Sequence, residues 1–152
     1  MNWFKLVGAI GDKVAEDWEH EEPENFVEIR FPWNKPPTQV CRHDRVILYA
    51  VEHGALMATQ RVVGWPGIKP RRGPNGSLEN RWPHTIEVET LHFCSPISSA
   101  PKLREAAADF AEQYARSFRN GSHWQISDED YETLAAAIEA AGHAYAAPAR
   151  AP

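Results

Sequence analysis

Three tryptophans lie in segments that cannot form regular structure, and their indole faces would stack well on a flat ligand. Trp33 lies in a loop with three prolines, which lack backbone donors. A long loop over residues 64–81 is rich in glycine and proline. Trp65 lies at its start, and Trp82 directly follows its end. The same loop carries a cluster of basic side chains, namely Lys69, Arg71, Arg72 and Arg81. Indoles beside cations predict a site for a flat anionic ligand.

Basic and acidic residues are distributed unevenly along the chain. The formal net charge is −5, yet residues 30–81 hold nine Lys and Arg against three Asp and Glu, whereas residues 12–28 hold eight acids and one base. This asymmetry predicts one face that attracts anions, although solvated loop charges would give the same counts. The overall acidity argues against a strong non-specific binder of duplex nucleic acid, because such binding neutralises many phosphates.

The size and composition fit one folded domain. The chain has 152 residues, of which 43% are apolar. We assign residues 1–142 to a single domain and residues 143–152 to a disordered tail rich in alanine and proline. No apolar run reaches the ~20 residues that span a bilayer, and no signal-peptide pattern is present, so we expect a cytoplasmic protein that does not bind membranes. Cys41 and Cys94 are far apart, with no histidine at ligand spacing, so we expect neither a metal nor a cofactor.

Hydrophobic periodicity places strands and helices around the tryptophan loops. Alternating or β-branched runs predict strands at residues 2–7, 26–31, 45–51, 55–63, 85–93 and 122–126. His53-Gly54 predicts a hairpin turn between the third and fourth of these. Helices are predicted at residues 12–21, at residues 101–118, and after the capping residue Ser127.

Strands that pair by hairpins, with helices outside them, predict an α+β fold. We expect a small mixed β-barrel of five or six strands with two or three peripheral helices. The sequence has neither a βαβ repeat nor the motifs GxGxxG and GxxxxGKS, so a nucleotide-cofactor fold is not expected. The loop over residues 64–81 is longer than most connections in compact domains, which is typical of a functional loop.

The order of these segments resembles a known family. NWFKLV, RHDRVILYA, GALMATQRVVG and HWQISDEDYETL follow one another as in EVE domains, which belong to the PUA-like superfamily and are related to YTH domains. The similarity covers most of residues 1–140. His43-Asp44 stands where the family usually has Gly-Asp. The resemblance implies a β-barrel with a pocket lined by aromatic side chains at one mouth.

The resemblance also implies a function, which is to read a modified base in DNA or RNA. The base would be a methylated or otherwise modified cytosine or adenine, taken from a single strand or flipped out of a duplex. Trp33 matches the position of a loop tryptophan in the YTH aromatic cage. Trp65 or Trp82 would form the second wall, because bases stack favourably on aromatic rings.

Other side chains would complete this site. Asn34 has both donors and an acceptor for a base edge. His123 would border the pocket, and Tyr49 would either line the pocket or belong to the core. Lys69, Arg71, Arg72 and Arg81 would hold the flanking phosphates, which position a strand without reading it. The remaining tryptophans, Trp3, Trp18 and Trp124, are expected in the core or as helix anchors.

Two other functional classes stay open. One is a small hydrolase or other enzyme that acts on a nucleoside-like ligand in the same pocket, with His43, Asp44 or His84 as acid–base groups. The sequence has no GxSxG elbow, HExxH helix or deaminase motif, so we do not expect an enzyme. The other class is a protein-interaction module of a defence or RNA-processing complex.

Overall fold

The computed structural model describes residues 1–7, 28–68, 71–72, 78–79 and 83–144, with only the backbone at 71–72 and 78–79. Several predicted features lie outside the described residues. They are the helix at residues 12–21, Trp18, the tail from residue 145, and the site residues Lys69, Arg81 and Trp82.

The described part of the chain contains ten strands, several of them only two residues long. They are β1 (Asn2–Val7), β2 (Glu28–Phe31), β3 (Arg45–Ala50), β4 (Ala55–Val62), β5 (Gly67–Ile68), β6 (Arg71–Arg72), β7 (Leu78–Glu79), β8 (His84–Phe93), β9 (His123–Ile126) and β10 (His143–Ala144). Eight of them form one curled sheet, in which six follow the order β10-β8-β4-β3-β1-β9 and β2 and β5 pair with β8 beside that path.

The sheet is mixed and begins to close on itself. β1 runs parallel to β3, whereas β3–β4, β4–β8 and β1–β9 are antiparallel pairs. Residues 51–54 form the predicted hairpin turn, where Gly54 has a φ of 61° that favours glycine. β2 and β5 both pair with the first part of β8, beyond the segment that β4 occupies. The predicted α+β fold with a curled mixed sheet is therefore confirmed.

Four described α-helices accompany the sheet: α1 (Leu103–Ala106), α2 (Ala108–Gln113), α3 (Ala115–Asn120) and α4 (Asp128–Ala141). The prediction of one continuous helix over residues 101–118 is wrong. The backbone leaves the helical region at Ala107 (φ −156°, ψ 68°) and again at Tyr114 (φ −104°, ψ 19°). Neither position is glycine or proline, so the periodicity does not reveal the breaks. The predicted start of the last helix is confirmed, because Ser127 Oγ accepts a hydrogen bond from the Asp130 backbone N–H (3.1 Å).

The central strands are buried on both faces. Trp3 is 5% exposed and packs with Val46 and Leu48 in one core cluster, inside the curl of the sheet. Phe4, the next residue, packs with Ile47 in a second cluster against the helices. Successive side chains of a strand point to opposite faces, so a strand buried on both sides reads as a continuous apolar run. The prediction that Trp3 belongs to the core is confirmed.

Two segments predicted as irregular contain short strands. In the loop over residues 64–81, β5 pairs with β8, and β6 pairs with β7 so that Arg71 lies opposite Glu79. At the start of the predicted tail, β10 pairs with β8, with His143 opposite Phe93. Residues 143–144 therefore continue the sheet. Among the described helices, none has the length and apolar character needed to cross a membrane.

The turn before β3 explains a difference from the EVE pattern. His43 has a φ of 77°, in the left-handed region that favours glycine, and histidine is among the residues that enter it more readily than most. Its backbone N–H donates to the Val62 carbonyl (2.8 Å), which ties the turn to β4. The turn therefore keeps at His43 a backbone conformation that glycine adopts most readily.

Candidate functional site

Strands from opposite edges of the sheet meet at one end of the partial barrel. Lys5 on β1 lies opposite His123 on β9 in the antiparallel ladder. The His123 ring centroid lies 4.8 Å from that of Phe31 on β2 and 5.6 Å from that of Trp3. Phe31 is 1% exposed, so β2 closes the barrel at this end over Lys5 and His123.

Lys5 is a buried amine without an acidic partner among the described residues. It is 5% exposed, its Nζ donates to the Leu6 carbonyl (2.7 Å), and the same nitrogen lies 4.8 Å from the Phe31 ring centroid. Burial lowers the pKa of Lys5 to about 7, because the apolar surroundings disfavour its charged form. Since an ammonium has three donors, Lys5 keeps capacity for a ligand acceptor.

Nδ1 of His123, opposite Lys5 on the neighbouring strand, is buried without a partner in the described part of the chain. Oγ of Ser122, the preceding residue, is also buried without a partner there. Burial, followed by the charges of Lys5 and Lys35, lowers the pKa of His123 to about 4, so its ring is neutral at pH 7. An unpaired buried polar group costs about 1–3 kcal/mol. Atoms of this kind mark a place where a ligand would supply the missing hydrogen bonds.

The Trp33 loop is held at the same end of the barrel. Trp33 is 67% exposed, and Asn34 beside it is also exposed. Lys35 Nζ donates to the Asn120 carbonyl at the end of α3, shortly before β9. A ring nitrogen of His84 lies 3.2 Å from the Trp33 carbonyl oxygen. The exposed indole therefore belongs to a loop that is anchored at both sides of the barrel mouth.

A surface groove of about 230 Å³ lies between this loop and the next. Residues 36–38 form one wall, residues 66–68 form the other, and His84 contributes from β8. Trp65 is 69% exposed at the start of the second wall, and Ile68 is 73% exposed within it. Because His84 pairs with Phe31 across β8 and β2, the groove and the Lys5–His123 pair share one end of the barrel.

The structure brings together some of the predicted site residues and separates one. Trp33, Asn34 and Trp65 belong to the two loops beside the groove and His123 lies on β9 opposite Lys5, but none of these four residues lines the groove. Tyr49 lies on the opposite face of the sheet, where its ring centroid is 5.4 Å from Phe4 and 5.1 Å from Phe118. Tyr49 therefore belongs to the core, which was one of the two positions predicted for it.

The remaining predicted residues lie in the core, lack described side chains or lie outside the described residues. Trp124 packs in the core on the helix side, as expected, with its ring centroid 5.0 Å from that of Phe4. For Arg71 and Arg72 the structure describes only the backbone of β6. Lys69, Arg81 and Trp82 lie outside the described residues, so their roles stay predictions.

Sequence reasoning missed Lys5, Ser122 and Lys35. Lys5 had a detectable signal, since a lysine two residues from a core tryptophan in an apolar strand lies on the same buried face. Asp44, named as an acid–base candidate, is 6% exposed and accepts hydrogen bonds from Trp3 and Cys41 instead. No three His, Cys, Asp or Glu side chains cluster to hold a metal ion in the described part of the chain.

The lowered pKa of Lys5 predicts a specific dependence of stability on pH. Between the folded value near 7 and the unfolded value near 10.4, the unfolded chain binds the proton and the folded chain does not, so stability rises with pH. We expect the free energy of unfolding to increase by up to about 1.4 kcal/mol per pH unit above pH 7. In Lys5→Met this increment should disappear. Urea denaturation of both proteins from pH 6 to 9 measures it, and parallel profiles would contradict the assignment.

Comparisons with known proteins support the fold alone. No family model matches the sequence, and no curated protein is detectably similar to it. The DUF55 domain of human thymocyte nuclear protein 1 is similar in structure, with a TM-score of 0.54 and 10% identity over 91% of this chain and 99% of that one. Protein PSPTO5229 from Pseudomonas syringae has a TM-score of 0.54 at 10% identity, covering 90% of this chain and 98% of that chain.

A third structure extends the same likeness. Rpa0253 from Rhodopseudomonas palustris has a TM-score of 0.50 at 11% identity, covering 93% of this chain and 95% of that one. All three matches run over nearly the whole of each chain, so the likeness concerns the entire domain. The protein has the fold of the DUF55 domain of human thymocyte nuclear protein 1.

Proposed function

We propose that this protein binds DNA or RNA and reads one modified base at the barrel end that holds Lys5 and His123. The observation that carries the proposal is a buried amine beside a buried, unpartnered ring nitrogen of His123, below a loop with an exposed tryptophan. Base readers combine these two features, because stacking supplies affinity and edge hydrogen bonds supply discrimination.

Each group has a role in this proposal. Lys5 donates to an acceptor on the base, and Nδ1 of the neutral His123 ring accepts from, or donates to, the base edge according to its tautomer. Trp33 stacks on the exposed face of the ring, and Asn34 adds an amide. A base that lacks the matching groups would leave buried polar atoms unpaired, which disfavours it.

The charge distribution supports a polyanionic partner. Residues 31–43 contain Lys35 and Arg42, and residues 63–78 contain Lys69, Arg71 and Arg72, with no Asp or Glu in either segment. Of these, residues 31–43 and 63–68 form loops beside the candidate site, and Glu79 lies opposite Arg71 in the β6–β7 pair. In a protein of net charge −5, this local excess would draw a strand to that end and hold its phosphates.

The proposed role is binding without chemical change. Asp44 is committed to hydrogen bonds within the turn before β3, and His84 contacts the Trp33 backbone. In the proposal, neutral His123 therefore reads the base edge and does not transfer a proton. An enzyme acting at the same place would reveal itself by altering the nucleoside.

A thermal-shift panel tests the proposal. Wild type and Lys5→Met are heated with plain and modified cytidine and adenosine nucleosides, and the same samples are analysed for conversion. We expect one modified nucleoside to raise the Tm of wild type, by a stabilisation of about 2.7 kcal/mol at a concentration of 100 Kd. The shift should be lost in Lys5→Met and kept in the exposed control Glu52→Ala. Equal shifts for all nucleosides, or no shift, would refute base reading, and conversion would favour an enzyme.

A further inference from the structure

Lys5 has the surroundings of a lysine that reacts as a nucleophile. Its side chain is 5% exposed, and no carboxylate pairs with it among the described residues. A carboxylate partner would favour the ammonium form, whereas apolar surroundings favour the neutral amine. The Nζ donates to the Leu6 carbonyl (2.7 Å), which engages one N–H and leaves the lone pair of the neutral amine free. Desolvated lysines of this kind form covalent bonds with carbonyl compounds.

The fraction of neutral amine separates Lys5 from an ordinary exposed lysine. Burial lowers the pKa of Lys5 to about 7, so about half of the molecules carry a neutral Lys5 at pH 7. For an exposed lysine with a pKa near 10.4, the neutral fraction is roughly one in 2,500. The reactive form of Lys5 is therefore about a thousandfold more abundant.

A hydrogen-bonding group lies beside this amine. His123 is opposite Lys5 in the antiparallel β1–β9 ladder, and its Nδ1 is buried without a partner in the described part of the chain. Residues that are directly opposite in such a ladder project from the same face, with Cβ atoms about 4.5–5.5 Å apart. The Phe31 ring, with its centroid 4.8 Å from Lys5 Nζ, adds an apolar face. A nucleophile and an unpaired ring nitrogen are thus neighbours in an apolar site.

We propose that Lys5 forms a reversible imine with a base that carries an aldehyde, as 5-formylcytosine does. The inference rests on the proposed function and deepens it, because it names the class of modification that the same site reads. In this base the aldehyde and the exocyclic amino group are on adjacent ring carbons. The aldehyde would face Lys5, and the amino group would donate to Nδ1 of His123 in the tautomer that leaves this nitrogen unprotonated.

Imine formation needs no further reactant. The Lys5 nitrogen bonds to the aldehyde carbon while the π electrons of the carbonyl move to its oxygen, which takes one proton from the nitrogen. The second amine proton leaves with that oxygen as water, and a carbon–nitrogen double bond remains. Nothing is oxidised or reduced. Addition of water reverses the step and releases the base unchanged, so the role is still binding.

Burial selects which aldehydes react. β2 and the Phe31 ring cover the Lys5 amine, so a ligand must displace packed side chains to reach it. A base offsets this cost through its hydrogen bond to His123 and by stacking on Trp33, whereas a simple aldehyde makes neither contact. Methyl and hydroxymethyl groups have no carbonyl carbon, so bases that carry them cannot form the bond.

Reductive trapping tests the imine. Wild type is incubated at pH 7 with 5-formyl-2′-deoxycytidine and sodium cyanoborohydride, digested, and mapped by mass spectrometry. Reduction adds two hydrogen atoms to the imine, so a labelled peptide gains the mass of the nucleoside less one oxygen atom. We expect the label at Lys5 to exceed that at the exposed Lys102 by at least about tenfold. The preference should disappear in urea, because the pKa of Lys5 in the unfolded chain is near 10.4.

The controls change one lysine or the aldehyde. Lys5→Met should lose the label, and Lys102→Met should keep the label at Lys5. Benzaldehyde has a carbonyl group but no base edge, so it should label Lys5 at least about tenfold less than the formyl nucleoside does. Because the labelled position is mapped on wild type, the main result does not depend on how either variant folds.

Two results would overturn the inference. One is label on exposed lysines with none at Lys5. The other is equal labelling of Lys5 by benzaldehyde and the formyl nucleoside, which would make Lys5 a reactive amine that recognises no base. The nucleoside panel distinguishes failure of the proposed function. A Tm shift with another modified nucleoside, without label at Lys5, would retain base reading and reject the imine, whereas the absence of both would reject both.

Discussion

Asp44→Ala is expected to lower the free energy of unfolding by about 2–4 kcal/mol, because it leaves buried donors without acceptors. The Asp44 carboxylate accepts hydrogen bonds from the Trp3 indole N–H and the Cys41 backbone N–H, both at 2.9 Å. Asp44 and Trp3 are 6% and 5% exposed, so water does not replace the lost acceptor readily. Urea denaturation measures the change as a lower midpoint at constant slope.

The same carboxylate predicts how stability depends on pH. Burial acts to raise the pKa of Asp44, but hydrogen bonds from the Cys41 N–H, the Met1 amine and the Trp3 indole outweigh it and lower the pKa. A lowered folded pKa gives stability that is complete above the unfolded pKa, near 3.9, and is lost as pH falls through the folded value. The difference in free energy of unfolding between wild type and Asp44→Asn should therefore become smaller below about pH 4.

Glu52→Ala is the control for Asp44. Glu52 is exposed in the hairpin turn, so its replacement should change the free energy of unfolding by no more than about 0.5 kcal/mol. If Asp44→Ala behaved like this control, the hydrogen bonds from Trp3 and Cys41 would not contribute to stability. The turn before β3 would then have to be held by its backbone hydrogen bonds to Val62 alone.

Trp33→Ala is expected to abolish discrimination between the modified and the plain base while the fold stays intact. Loss of one stacking ring should weaken binding of the modified nucleoside by about 5- to 150-fold. Without the ring that fixes the plane of the base, the modified nucleoside no longer reaches the buried polar atoms that favour it, so the ratio of the two affinities falls toward one. Titration of both nucleosides against wild type and variant measures this ratio.

Trp33→Phe separates stacking from structure. It keeps an aromatic face and should retain most of the discrimination. The Trp33 side chain is 67% exposed, so neither substitution should change the unfolding midpoint by much. Unfolding of Trp33→Ala would assign the ring to structural packing. An equal loss of affinity for both nucleosides would show that Trp33 stacks on any base and does not help to distinguish the modified one.

Local patterns predicted most of the elements. Period-two alternation and β-branched runs placed β1, β3, β4 and β8 to within about two residues, since side-chain direction in a strand depends on near neighbours only. The Ser127 cap was predicted for the same reason. The helix over residues 101–118 was wrong because its breaks at Ala107 and Tyr114 carry no glycine or proline.

The candidate site could be predicted in part. The tryptophan loops and His123 were identified from residue type and from resemblance, whereas the burial of Lys5 was not. Whether a lysine is buried depends on what covers it, and here β2 and Phe31 do so from a distant part of the sequence. Tyr49 could not be assigned to core or pocket without knowing which face of β3 the helices cover.

The sequence by itself determined the positions of most strands, the hairpin, the excess of basic residues over residues 30–81, and the proline-rich segment that contains Trp33. These features follow from near-neighbour periodicity, turn chemistry and composition. Only the tertiary structure decided that β1, β2 and β9 meet, that Lys5 and His123 are buried together, and that two loops enclose one groove. Such meetings depend on pairing between strands far apart in the chain, and no local pattern encodes which strands will close the barrel.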